Sequence, residues 1–310
     1  MTKIKLHISC LSPVSNEALK LVKNDKYELT WQDHLAKDED ELAKTIEDAD
    51  ALYLGGDDFY SRKVLERAKN LKLISFGGTG YETFVDAKAA RELGIKITNT
   101  PGAPSQSVAE FTIGLMLDLL RKITFLNQKS DGEISREIGV LKIGLIGYGN
   151  INRRIYKILH DGFGANVKFW NRTKVSGGVD LDEILAESDA IIIAITANDE
   201  TRNFIDHEKI AKMKSGVILI NPARPSLIDE TALVDALKSG KISAVAMDGE
   251  VGAKSLLRKF ASDKVIITPG MASRTTEAWE KMDVMAFQNI VEFFAKPVDE
   301  NLKKIGRRVK

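Results

Sequence analysis

Two spacings of apolar residues alternate along this chain. Short apolar runs rich in β-branched residues predict strands at Lys3–Ser9, Tyr27–Gln32, Ala49–Leu54, Leu71–Phe76 and Ile95–Thr98. Amphipathic windows separate them at Asn16–Lys23, Glu39–Glu47 and Ser61–Lys69. In the last of these, Val64, Leu65 and Ala68 fall on one helical face. Strand and helix in strict alternation predict a parallel sheet with helices on both faces.

The series pauses near Pro101–Pro104. A long helix is expected over Ser107–Lys122, then a polar stretch over Asn127–Glu137. Strands resume at Leu141–Ile146, Ala165–Trp170, Ala190–Ile195, Val217–Asn221, Ser243–Met247 and Val265–Thr268. The restart predicts a second doubly wound domain, followed by an amphipathic helix, Glu277–Phe294, that returns to the first. The expected fold is therefore α/β, with two doubly wound, Rossmann-like parallel-sheet domains and an interdomain cleft as the default ligand site. One domain is expected to comprise residues 1–100 plus 285–310, the other 101–284.

Composition narrows the function classes. Of 310 residues, 44% are hydrophobic and 29% charged, which excludes a disordered chain. Lys and Arg number 45 against 44 Asp and Glu, so no global basic field draws nucleic acid or a membrane surface. The longest apolar run, Ala190–Ile195, is far short of a spanning helix. The single cysteine, Cys10, excludes an intrachain disulfide, and the first residues read as a strand without a signal-peptide core. These features predict a cytoplasmic protein. No metal site is expected.

The strongest local signal is Lys142-Ile-Gly-Leu-Ile-Gly147-Tyr148-Gly149-Asn150-Ile151-Asn152, an apolar strand running into Gly-x-Gly and then a helical window, Ile151–Leu159. Gly147 permits the tight turn, and Gly149 lets backbone approach a pyrophosphate. The helix N-terminus adds free N–H groups and positive dipole. Asn152 stands where the fingerprint has its third glycine, so the helix–strand contact there must be loosened or rearranged. The next strand ends Phe169-Trp170-Asn171-Arg172-Thr173. An NAD enzyme places a carboxylate there for the ribose 2′-hydroxyl. This chain has none, and Arg172 suits a 2′-phosphate, with Asn171 as an uncharged hydrogen-bonding neighbour. NADP(H) is therefore expected, with NAD the less favoured cofactor.

With these residues in view, the chain resembles the D-2-hydroxyacid dehydrogenases, the phosphoglycerate dehydrogenase and glyoxylate/hydroxypyruvate reductase group. The resemblance is clearest from Leu71 to Ala295 and rests on motifs in the family's order. They are Gly77-Gly78-Thr79-Gly80, Asn99-Thr-Pro101 through Ser107-Val-Ala-Glu110, Thr196-Ala-Asn198-Asp-Glu-Thr201, Ile220-Asn221-Pro222-Ala-Arg224 and Met247-Asp248-Gly249-Glu250. The resemblance implies that the first domain takes the substrate and the second the dinucleotide. It also implies a homodimer and a cleft that closes on both ligands. It assigns cofactor contacts to Gly147, Tyr148, Gly149, Asn150, Ile151, Asn171, Arg172, Thr173, Thr196, Pro222 and Asp248. Gly78, Thr79 and Gly80 would hold the substrate, and Arg224 and Glu250 would serve catalysis.

Reducing a 2-keto acid to a D-2-hydroxy acid takes a hydride, a cation on the carboxylate and carbonyl, and an acid for the nascent alkoxide. Arg224 matches the family's cation. The acid departs from the pattern. The family places histidine directly after Thr-Pro, and this chain reads Thr268-Pro269-Gly270. Its four histidines are His7, His34, His160 and His207, so none follows residue 207. Glu250 also lies nearer the strand end than the family's glutamate. Two readings follow. One is an NADP(H)-dependent 2-keto acid reductase with an atypical proton donor, Lys254 or a water. The other is a catalytically degenerate NADP(H)-binding sensor or scaffold.

Overall fold

The computed structural model describes residues 2–32, 34–126, 135–261 and 264–295. Residues 127–134 of the expected polar stretch and 296–310 of the expected C-terminal return lie outside the described residues. The chain divides into two compact units, between Pro104 and Ser105 and between Arg274 and Thr275.

The first unit is a five-stranded sheet of β1 (Ile4–Ser9), β2 (Tyr27–Gln32), β3 (Ala51–Leu54), β4 (Leu73–Phe76) and β5 (Lys96–Thr98). All strands are parallel, in the order β2-β1-β3-β4-β5. Successive residues feed opposite layers. Leu52, Leu54 and Ile74 pack on one face, and Ala51, Tyr53 and Leu73 on the other. Helices start where short polar side chains take up the free first-turn N–H groups. Ser15, Asp38, Ser61 and Asp86 accept from Ala18, Glu41, Val64 and Ala89.

Helix Thr276–Ala295 belongs to this unit along its whole length, which moves the second boundary from the expected 284/285 to 274/275. The reason is packing. Its Asp283 accepts from the Ser15 N–H at 2.7 Å and from the Tyr53 hydroxyl. Ala286 accepts from Ser75 Oγ at 2.8 Å, and Phe287 lies 4.8 Å from the Tyr53 ring. The first boundary likewise falls at Pro104 rather than 100, just before helix Ser105–Arg121 begins.

The second unit is a six-stranded parallel sheet of β6 (Lys142–Ile146), β7 (Asn166–Trp170), β8 (Ala190–Ile193), β9 (Val217–Asn221), β10 (Ile242–Asp248) and β11 (Val265–Thr268). Its order is β11-β10-β9-β8-β6-β7. Ile191 and Ile193 face one layer, Ala190 and Ile192 the other. β8 is buried on both faces, as its unbroken apolar run predicts. The order reverses direction at β6, so loops at the carboxyl ends of β6 and β8 leave on opposite sides, the usual position for a ligand. Among the described residues, no helix is long and apolar enough to cross a membrane, and no cluster of candidate metal ligands occurs.

Candidate active site

In the second unit, β6 ends at Ile146 and Gly147 turns the chain with φ +88°. A Cβ at Gly147 would lie 2.7 Å from the Ala194 carbonyl, so only glycine fits both the dihedral and the space. Gly149 is the N-cap of helix Asn150–Lys157, and no side chain caps that helix. A Cβ at Gly149 would meet nothing within 4 Å. The side-chain caps that quieten other helix starts are therefore missing here, so no side chain takes up the first-turn N–H groups of this helix. That is the donor arrangement an anionic phosphate requires.

Asn152 explains how the turn closes without its third glycine. The side chain is fully buried, and its Nδ2 donates to the Ile146 carbonyl at 3.1 Å and the Gly147 carbonyl at 2.7 Å. The helix–strand contact is thus rearranged into a polar lock behind the turn. Tyr148 stacks on Phe169 with centroids 3.5 Å apart, and the Arg153 guanidinium sits 4.8 Å from the Tyr148 ring.

Past β7, Asn171 is committed to the protein. Its Oδ1 accepts from the Tyr148 N–H at 3.0 Å, and its Nδ2 donates to the Thr173 carbonyl at 2.8 Å. The side chain thereby shapes the glycine turn. Arg172 and Thr173 are exposed. Arg172 pairs with Glu200 at 3.3 Å, with about 77% of its side chain still accessible, so the pair is weak and easily exchanged for a stronger anion. Thr196 is also exposed. Its carbonyl accepts from Thr201 Oγ1 at 2.7 Å, which ties the loop after β8 into a compact turn.

At the end of β9, Asn221 organises the next loop. It is fully buried. Its Nδ2 donates to the Arg224 carbonyl at 2.7 Å and its Oδ1 accepts from the Ala223 N–H at 3.0 Å. Pro222 is buried within this turn, and the Arg224 side chain projects exposed, with Nη1 donating to the Ala223 carbonyl at 2.8 Å. Asn221 carries no role in the motif as read from sequence, yet an asparagine at a strand end is a turn-former by local hydrogen bonding.

Asp248, at the end of β10, is also committed. Its Oδ1 accepts from Thr268 Oγ1 at 2.6 Å and the Met271 N–H at 2.7 Å, and its Oδ2 accepts from the Ala272 N–H at 2.9 Å. The carboxylate holds the loop after β11 in place. Gly270 lies in that loop with φ +73° and open space where a Cβ would stand. Glu250 is exposed and has no hydrogen bond or ion pair among the described residues. Lys254 is exposed as well.

No histidine is placed in these strand-end loops. His7 is buried in β1 with Nδ1 2.9 Å from Thr30 Oγ1, and burial pushes its pKa down to about 4. His34 pairs with Glu41 at 3.3 Å. His160 contacts Asp161 at 2.9 Å and stacks on Tyr156, and His207 opens helix His207–Lys212.

In the first unit, the loop Gly77–Gly80 leaves β4. The Gly78 carbonyl accepts from the Thr100 N–H at 2.8 Å and from Thr100 Oγ1 at 3.1 Å. The Thr79 carbonyl accepts from Asn99 Nδ2 at 2.7 Å. In a trans peptide, a carbonyl and the following N–H point opposite ways. Holding both carbonyls on the Asn99–Thr100 side therefore turns the Thr79 and Gly80 N–H groups to the other side. Neither donates to any described residue. Two adjacent free amides facing one way form a small anion-binding concavity.

The family description "D-isomer specific 2-hydroxyacid dehydrogenase, NAD binding domain" matches residues 113–272. The chain is 34% identical over 306 residues to a hydroxypyruvate reductase of Thermotoga maritima, covering 94% of this chain and 98% of that protein. It is 33% identical over 283 residues to an aromatic 2-oxoacid reductase of Clostridium sporogenes, covering 81% and 85%. Among solved structures, a glyoxylate reductase from Paecilomyes thermophila superposes with TM-score 0.82 at 27% identity, covering 96% of this chain and 97% of that one. An uncapped glycine turn, an arginine at the end of β9 and a near full-length match to reductases of this kind lead to one assignment: the chain belongs to the NAD(P)-dependent D-isomer-specific 2-hydroxyacid dehydrogenase family of oxidoreductases.

Proposed function

We propose that this protein is an NADP(H)-dependent reductase that interconverts a small 2-keto acid and its D-2-hydroxy acid. When bound, the dinucleotide supplies or accepts the hydride. The protein's part is to bind, orient and polarise. The N–H groups from Gly149 to Ile151 hold the pyrophosphate, with Gly147 and Tyr148 shaping the turn. Arg172 exchanges Glu200 for the 2′-phosphate, and Thr173 and Thr196 flank the cofactor on exposed loops. Asn171, Pro222 and Asp248 act one step back, by holding those loops in shape.

The observation that carries the reading is Arg224. Its guanidinium is exposed on a turn that Asn221 staples, and a planar fork of this kind binds carboxylate at two points and stabilises charge growing on a carbonyl oxygen. In the first unit, the Thr79 and Gly80 amides beside Gly78 supply donors for the substrate carboxylate. The proton comes from a group other than histidine, with exposed Glu250 the acid–base candidate and solvent the source. Doing without a positioned histidine slows such a step by about 10²–10⁴-fold, so turnover is expected to be low.

NADPH oxidation at high protein concentration, with glyoxylate, hydroxypyruvate, pyruvate and longer 2-keto acids, tests the proposal. Arg224→Ala should lower kcat/KM by about 10²–10³-fold, the scale set by loss of one oxyanion-stabilising donor. A second reading, an NADP(H) sensor or scaffold without chemistry, is favoured by Gly270. Tight NADPH binding with no turnover on any acid would select it. Assembly as a homodimer is part of the proposal. The exposed Val140 and Phe163 of the second unit supply apolar surface for it, and light scattering measures the mass directly.

A further inference from the structure

The loop Gly77–Gly80 owes its direction to Asn99 and Thr100, and Asn99 is itself held. Asn289, on helix Thr276–Ala295, donates from Nδ2 to the Asn99 carbonyl at 3.2 Å. The same helix reaches the base of the loop through Asp283. That carboxylate accepts from the Tyr53 hydroxyl, and a Cβ on Gly77 would lie 2.7 Å from that hydroxyl oxygen. Ser75 adds a third tie, from the strand before the loop to the Ala286 carbonyl. The helix therefore grips both ends of the loop, at Gly77 through Tyr53 and at Thr79 through Asn99.

We propose that Asn289 is a positioning residue for substrate carboxylate binding, aiming the Thr79 and Gly80 amides through Asn99. Asn289 holds the Asn99 backbone. Asn99 holds the Thr79 carbonyl. Planarity of the peptide then dictates where the Gly80 N–H points. Asn289 itself touches no substrate. The inference rests on the substrate role given to this loop under Proposed function, and the test separates the two.

The test uses the full-length protein and glyoxylate as probe, followed by the amide resonances of Thr79 and Gly80. Asn289→Ala keeps a strong helix former at a half-buried position, so the fold is expected to persist. In the unliganded variant, the Thr79 and Gly80 amide resonances should move while that of Gly144 in β6 stays. The glyoxylate dissociation constant should rise about tenfold, the factor carried by roughly one hydrogen bond, with NADPH affinity unchanged. In turnover, KM for the acid should rise and kcat should hold. Asn289→Gln, which keeps the carboxamide, should recover part of the loss. If the two resonances in Asn289→Ala coincide with wild type, the positioning role is wrong. If they move, but glyoxylate leaves them unchanged in the wild type, the positioning stands and the substrate role of the loop fails.

Discussion

Replacing Asn152 by glycine restores the family's third glycine, and a consensus argument expects such a change to stabilise. The structure predicts the opposite. The Asn152 carboxamide is fully buried and donates to two carbonyls, Ile146 at 3.1 Å and Gly147 at 2.7 Å. The Ile146 carbonyl keeps a second donor, the Ala194 N–H at 3.0 Å. The buried Gly147 carbonyl keeps none among the described residues. Two hydrogen bonds contribute about 1 kcal/mol each, and leaving one acceptor dry adds to that. Glycine in a helical turn costs a further few tenths of a kcal/mol against asparagine. The unpartnered, buried Oδ1 of Asn152 offsets part of the sum. The expected loss is about 2 kcal/mol, or roughly 4–8 °C in the Tm of a unit this size. With Trp31 and Trp279 changed to Phe, fluorescence of Trp170 follows the second unit alone. An unchanged or raised Tm for Asn152→Gly would refute the polar lock.

Arg172→Ser should weaken NADPH about tenfold, from loss of one charge-assisted contact, and leave NADH within about twofold. Fluorescence titration of both cofactors checks this, and an unaltered NADPH affinity would remove Arg172 from the 2′-phosphate site. Gly249 holds φ +139° with its Cβ position 2.7 Å from Pro225 Cδ, so Gly249→Ala should cost about 2 kcal/mol or more. Pro225→Gly should then recover part of that cost in a double-mutant cycle, and strictly additive Tm changes would discount the contact. His7 has its pKa pushed down to about 4 by burial, against 6.5 for an ordinary imidazole. The unfolded chain therefore binds this proton first. Its contribution to stability is full above pH 6.5 and falls as pH drops toward 4, by roughly 3 kcal/mol at most. His7→Asn should flatten that part of the stability–pH curve, and parallel curves for variant and wild type would contradict it.

Sequence alone determined the strands, the two parallel series and the turn at Gly147. Each depends on local rules, namely apolar period, turn chemistry and the dihedral freedom of glycine. It likewise located Arg224 and the gap at Gly270 by motif order. Tertiary structure decided what the polar side chains do once the strand ends come together. Asn171 and Asp248 have the residue types of cofactor ligands, yet their oxygens are occupied by the Tyr148 N–H and by Thr268, Met271 and Ala272. Those partners lie some 20 residues away along the chain, where no local pattern reports them. Helix Thr276–Ala295 shows the same division. Its amphipathic period and its return to the first domain were legible in the sequence, but its full-length place in that unit and its hold on Asn99 depend on Asp283 meeting Ser15, 268 residues away, and Asn289 meeting Asn99, 190 residues away. A period tells which face of an element is buried; the partner of a buried polar atom is chosen only when distant segments are brought within hydrogen-bonding distance.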